Sequence, residues 1–214
     1  MGLSAEQLRT GLDALAAIEP AFVAAIARAG YPEPRIRDRG YATLLRTIVG
    51  QQVSYKAADS VWRKLETMLG DATDPARIPA TSDEALREAG LSRQKASYAR
   101  SLADEVLSGR LDLTALPVDD EEAIAQLVRI KGIGRWSAEI YLLFAEGRTD
   151  IWPAGDLAVQ IEVGRILGHA ERPSEKLTRE VAEAWRPHRG AAAVFAWHHY
   201  MFDPAAQAAA NSAI

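Results

Sequence analysis

Apolar residues recur at intervals of three and four along nearly the whole chain, and this spacing limits most what it can fold into. Val53, Ala57, Val61, Leu65 and Met68 form one such stripe, and Leu177, Val181 and Ala184 begin another. Strand-like alternation is scarce. Turn residues cut the helical text at Tyr31 to Pro34, Gly70 to Pro75, Pro79, Gly90, Gly109, Pro117, Gly132 to Gly134, Gly147, Trp152 to Gly155, Gly168 to Pro173 and Pro187 to Gly190. The pieces left are about 8 to 18 residues long, which makes roughly ten to twelve helices. Ser92, Thr81 or Ser82, and Ser174 stand where N-caps belong. The spacing predicts an all-α fold.

With 214 residues, 48% of them hydrophobic, the chain can bury an ordinary core as one domain or as two closely packed lobes. Cysteine is absent, which excludes disulfide scaffolds, thiolate metal sites, iron-sulfur clusters and cysteine nucleophiles together. The four histidines, at 169, 188, 198 and 199, show no metal-ligand spacing, so no metal site is expected. No basic start leads into an apolar run, and no stretch approaches the ~18 apolar residues of a membrane span, so a soluble, intracellular protein is expected. The formal charge of -4 is not the footprint of a typical nucleic-acid binder. Its distribution matters more. Acidic residues gather at Asp119 to Glu122 and Ser82 to Glu88, whereas Arg93, Lys95, Arg100, Lys131 and Arg135 sit in or beside turns.

The most informative stretch is Glu121 to Glu146, where two amphipathic helices flank Lys131-Gly132-Ile133-Gly134. Leu127, Val128 and Ile130 are assigned to the first helix and Ala138, Tyr141 and Leu142 to the second. A four-residue turn permits only a tight helical hairpin. Its glycines allow positive φ and close approach by another backbone. The amides of Ile133, Gly134 and Arg135 are then expected to point outward at the start of the second helix, where the dipole favours an anion. Such a seat holds phosphate without reading sequence. The plainer alternative is a glycine C-cap followed by a turn.

Asp156 opens the apolar helix Leu157-Ala158-Val159-Gln160-Ile161 after a proline and a glycine, so it reads first as an N-cap. Five tryptophans in a helical chain are often core fillers, and Trp62 is expected to be one; Trp152 stays open between core and site. Arg93 and Lys95 read as phosphate contacts or, more plainly, as solvated charge.

Ile130-Lys131-Gly132-Ile133-Gly134-Arg135-Trp136-Ser137-Ala138, followed by Trp152-Pro153-Ala154-Gly155-Asp156, resembles the hairpin and Gly-Pro-Asp region of the helix-hairpin-helix DNA glycosylase superfamily. Upstream, Ile48-Val49-Gly50-Gln51-Gln52-Val53-Ser54 resembles the 3-methyladenine DNA glycosylase II branch, as do Trp185-Arg186-Pro187-His188-Arg189-Gly190 and Ala196-Trp197 downstream. The matches run from about Tyr41 to Tyr200 in the family's order, with no counterpart of the additional N-terminal domain that some members carry. The resemblance implies a single glycosylase domain over 1–214, built as a two-lobed helical bundle. About 41–149 would form the lobe carrying the hairpin (about 121–146), and 1–40 with 150–214 the other, with Asp156 at a cleft between them.

The same resemblance implies roles. Asp156 would face the sugar of a nucleotide flipped from double-stranded DNA and stabilise its oxocarbenium character. Trp136 occupies the position where lyase-competent relatives carry a Schiff-base lysine, which implies water as nucleophile and a monofunctional enzyme. Lys131, at the hairpin's start, would meet phosphate rather than sugar. Trp136 and Trp197 would flank the damaged base, offering a cationic alkylpurine about 0.5 to 2 kcal/mol of cation-π attraction; core packing is the alternative. Gln52 would fill the gap left in the base stack, with Gln51 and Ser54 nearby and Ser54 on the DNA backbone with Gly132, Ile133, Gly134 and Arg135. Many members have leucine where Gln52 stands, and without the resemblance these are polar residues on a helix end. A monovalent cation at the carbonyls near Ile130 and Ile133 is implied too, with no other cofactor. The implied activity is hydrolysis of alkylated purines such as 3-methyladenine and 7-methylguanine, by a cytoplasmic, nucleoid-associated monomer. The alternatives are a glycosylase for oxidised or deaminated bases and a noncatalytic DNA-binding module.

Overall fold

The computed structural model describes residues 2–202, and among these the chain is helical throughout, with no strand. It divides into two compact units, one of Met1–Ile36 with Leu142–Ile214 and one of Arg37–Tyr141.

The first unit holds α1 (Ala5–Ile18), α2 (Ala21–Ala29), a π-helical turn at Leu142–Glu146, α10 (Leu157–Leu167), α11 (Glu175–Val181), a 3-10 turn at Ala182–Trp185, and α12 (Arg189–Phe202). Ser4 starts α1 with a reciprocal capping box, its Oγ accepting from Gln7 N and Gln7 Oε1 accepting from Ser4 N. α12 is buried almost continuously from Arg189 to Ala196 and packs against α1, α2 and α10. Gly11 makes the α1 contact possible, since a Cβ there would stand 2.7 Å from Ala191 Cβ. Phe22, Phe195, Trp152 and Trp185 fill the core, with Trp185 edge-on to both Phe22 and Trp152.

The second unit holds α3 (Tyr41–Gly50), α4 (Tyr55–Leu69), α5 (Arg77–Ala80), α6 (Asp83–Glu88), α7 (Arg93–Leu107), α8 (Asp120–Leu127) and α9 (Arg135–Tyr141). Helix α7 lies against α3, α5 and α6, which makes it the central strut of this unit. Ser82, Ser92 and Ser174 cap α6, α7 and α11 as expected, each hydroxyl accepting from the amide three residues on.

Two expected stripes shift, that on α11 by one residue throughout and that on α4 at Val61 and Met68 but not at Leu65. The buried face of α4 is Trp62, Leu65 and Leu69, because the helix starts behind the Ser54 cap and turns the bulky indole inward. Val53 lies ahead of the helix and is exposed, as is Met68. On α11 and the following turn, Thr178, Ala182 and Trp185 face inward, while Leu177 stays exposed.

Candidate active site and nucleic-acid interface

The expected hairpin forms within the second unit, but its turn is longer than four residues. α8 ends at Leu127, so Val128 and Ile130 belong to the connection rather than to the helix, and seven residues, 128–134, separate α8 from α9. Ile130 and Ile133 point into the core and anchor the turn. Ile133 N donates to Ile130 O at 3.0 Å, so its amide is committed within the turn. Gly134 O accepts from Ala138 N at 3.0 Å, which opens α9.

The two glycines do different things. Gly132 has φ +83°, and a Cβ on it would stand 2.1 Å from the Tyr98 ring, so both backbone shape and packing exclude a side chain. Gly134 keeps negative φ, contrary to the expectation for both glycines, and a Cβ there would meet nothing within 4 Å. Its missing side chain leaves open space instead.

The Arg135 side chain is held by Glu121, with Nη1 to Oε2 at 2.8 Å, and by the buried Glu139, with Nε to Oε1 at 2.9 Å. The Glu121 bond, and then the charges of Glu139 and Glu121, raise the guanidinium's pKa further above its ordinary value against the opposing effect of burial. Trp136, next along α9, is 48% exposed.

In the same unit, Gln52 is exposed between α3 and α4 and adopts φ +55°, the one non-glycine residue among those described to do so. Gln51 Nε2 donates to Gly132 O at 2.8 Å, bringing this loop to the hairpin turn. Ser54 caps α4, its Oγ accepting from Ala57 N at 3.3 Å. Lys95 is not a simple solvated charge: Nζ donates to Val49 O at 2.7 Å near the end of α3, and burial lowers its pKa. Arg93 stays exposed.

Asp156 belongs to the first unit, and its capping role is real. It precedes α10 with extended backbone, and Oδ1 accepts from Val159 N at 3.0 Å. Trp197 Nε1 donates to the same oxygen at 3.1 Å, so the two residues singled out in this part of the chain meet. The indole is itself braced by Phe144, ring centroids 5.5 Å apart. Two donors from different helices leave this carboxylate little rotational freedom, although it is only half-buried. The chain leading to it is equally fixed. Trp152 is core, buried with Nε1 donating to Thr178 O at 2.9 Å. Asp150 accepts from Arg186 at 2.7 Å and from Arg189 at 2.8 Å, tying the segment to the start of α12.

Sequence reasoning missed these supports. It did not bring out a second cluster either: buried His199 Nδ1 pairs with Glu162 Oε2, Arg28 meets its other ring nitrogen, and Arg165 reaches Glu162 at 2.6 Å. The signal was faint: Glu162 sits in the apolar run of α10 and His199 in that of α12, 37 residues apart. No group of three or more His, Asp or Glu that could hold a metal occurs among the described residues. No helix among them is long and apolar enough to cross a membrane.

Comparison with known proteins places this geometry in context. The crystal structure of a DNA-3-methyladenine glycosidase from Bacillus halodurans is similar at a TM-score of 0.83 and 33% identity, over 89% of this chain and 88% of that one. A Schizosaccharomyces pombe 3-methyladenine DNA glycosylase in complex with abasic DNA follows with a TM-score of 0.74 and 26% identity, over 89% and 95%. Among sequences, DNA-3-methyladenine glycosylase 1 of S. pombe is 30% identical over 161 residues, 73% of this chain and 71% of the relative. DNA-3-methyladenine glycosylase 2 of Escherichia coli is 28% identical over 194 residues, 84% and 66%. The family model described as HhH-GPD superfamily base excision DNA repair protein matches residues 45–187, and the chain belongs to that superfamily.

Proposed function

We propose that the protein is a monofunctional DNA glycosylase that flips alkylated purines, such as 3-methyladenine and 7-methylguanine, out of duplex DNA and hydrolyses their glycosidic bonds. The observation that carries this reading is the Asp156 carboxylate, held at one oxygen by both Val159 N–H and the Trp197 indole in a base-excision-repair chain. Breaking the bond between sugar and base builds positive charge on the deoxyribose. A carboxylate whose position is set beforehand stabilises that charge without reorganising, and can orient the attacking water. A purine alkylated at N3 or N7 is already cationic and leaves without protonation, so no general acid is required. This favours alkylated purines over oxidised or deaminated bases.

Trp136 cannot form a Schiff base, which leaves water as the nucleophile and the strand intact after base release. Its exposed indole would hold the cationic base by cation-π attraction. Trp197 gains a second task beside that one, since its N–H orients Asp156. In the other unit, the Gly134 and Arg135 amides would hold phosphate with Ser54 nearby, while Gln52 fills the vacated stack. The Ile130 carbonyl accepts from the Ile133 amide within the turn, and a carbonyl oxygen has two lone pairs, which fits shared coordination of a monovalent cation with the Ile133 carbonyl. Such a cation would add positive charge beside the phosphate. We place this activity in the cytoplasm, on chromosomal DNA, as a monomer.

Mass spectrometry of bases released from methylated, oxidised and deaminated DNA tests the substrate class. Release of 3-methyladenine and 7-methylguanine from the methylated sample is the expected result; release confined to the other samples would refute it. Borohydride should trap no covalent protein-DNA adduct, and a trapped adduct would overturn the hydrolytic mechanism.

A further inference from the structure

The glycine turn and the Gln51-Gln52 loop are far apart in sequence, yet the Arg37–Tyr141 unit joins them directly. Left-handed backbone at a non-glycine residue persists only where its surroundings hold it, and Gln52 is such a residue, φ +55°. The preceding residue supplies one restraint, Gln51 Nε2 to Gly132 O at 2.8 Å. Helix α7 braces the segments on either side of that contact. Lys95 Nζ donates to Val49 O at 2.7 Å and steadies the end of α3, from which the loop springs. One turn on, the Tyr98 ring packs so closely on Gly132 that no Cβ fits between them. Ser101 Oγ then accepts from Lys131 N at 3.0 Å. Residues 95, 98 and 101 follow at three-residue intervals on one side of α7, so a single helix braces both the turn and the loop.

We infer that Gln51 is a positioning residue, one that makes phosphate capture by the glycine turn and insertion of Gln52 a single rigid event. The inference rests on the reading of Gln52 as the residue that fills the stack. When the turn settles on phosphate, the Gln51 bond fixes the distance from that phosphate to the Gln52 side chain. Without it the loop relaxes toward ordinary backbone angles and the side chain withdraws. Grip on DNA then survives while the opened helix loses its plug.

The full chain is tested in two measurements that need no chemistry. One is the fluorescence gain of 2-aminopurine placed beside a tetrahydrofuran abasic site in a duplex, which reports opening of the stack. The other is affinity for undamaged duplex and its salt dependence, which reports grip. Gln51→Leu should lower the opening equilibrium about 3- to 10-fold, as expected for one hydrogen bond, with affinity and salt slope unchanged. An unchanged fluorescence gain overturns the inference, and so does an equal loss of affinity for undamaged duplex, which would make Gln51 merely part of the turn's fold. Lys95→Met leaves the turn untouched and should move the opening equilibrium the same way by a smaller factor; parental behaviour would overturn the shared brace. Gln52→Ala separates the two readings. Parental opening in Gln52→Ala defeats the plug and the brace together, whereas a loss in Gln52→Ala that is absent from Gln51→Leu defeats the brace alone.

Discussion

The entry to α9 and the entry to α10 are both short glycine-bearing turns ahead of a helix, but they are built from different parts of the chain. At α9 the shape lies in the main chain: Gly132 at φ +83° against Tyr98, buried Ile130 and Ile133 as anchors, and open space where a Gly134 side chain would be. At α10 it lies in side chains, with Asp156 capping the helix and Trp197 donating to the same carboxylate oxygen. A main-chain site can serve a repeating ligand such as a phosphate backbone, because any residue supplies an amide. A side-chain site serves one chemical event, because only a carboxylate carries the needed charge. The first should tolerate most substitutions except where a Cβ cannot fit, and the second should fail at a single atom.

The sharpest way to break this contrast is Asp156→Asn, which keeps an oxygen for capping and removes the charge. Base release under single-turnover conditions should fall by about 10²- to 10³-fold, with DNA affinity and thermal stability close to the parent's. Activity equal to the parent's would remove Asp156 from the chemistry. Next comes Gly132→Ala, where left-handed backbone and the Tyr98 clash together should destabilise the fold by about 2–5 kcal/mol in denaturant unfolding. Stability near the parent's would mean that the turn has a second accessible shape. Trp197→Phe keeps the ring beside Phe144 and deletes the hydrogen bond to Asp156. Base release should drop about tenfold at unchanged stability, and parental rates would leave the indole no orienting role. The smallest effect is expected of Gly134→Ala: stability within about 0.5 kcal/mol of the parent, as its open surroundings allow, but affinity for duplex DNA a few-fold weaker. If Gly134→Ala binds DNA as tightly as the parent, the turn does not approach backbone at that residue.

Much of this was legible in the residue order. Ser82, Ser92, Ser174 and Asp156 announce their helices because capping is a local transaction between a side chain and an amide three residues on. The stripes on α4 and α11 were harder to phase, since Val53 or Leu177 is as apolar as its buried neighbours and only the position of the cap decides which face turns inward. Glycine in the turn was visible, but Gly132 and Gly134 look alike until Tyr98 is brought against one of them.

By itself the sequence determined the helical class, the place of most helix starts, the hairpin and the aspartate ahead of α10, because each depends on neighbours within a few residues. Tertiary structure alone decided that Trp197 would meet Asp156, that Gln51 would reach Gly132, and that His199 would find Glu162. Those partners lie 41, 81 and 37 residues apart. A hydrogen bond is satisfied by distance and angle in space, and no local pattern encodes which distant donor the packed helices will deliver.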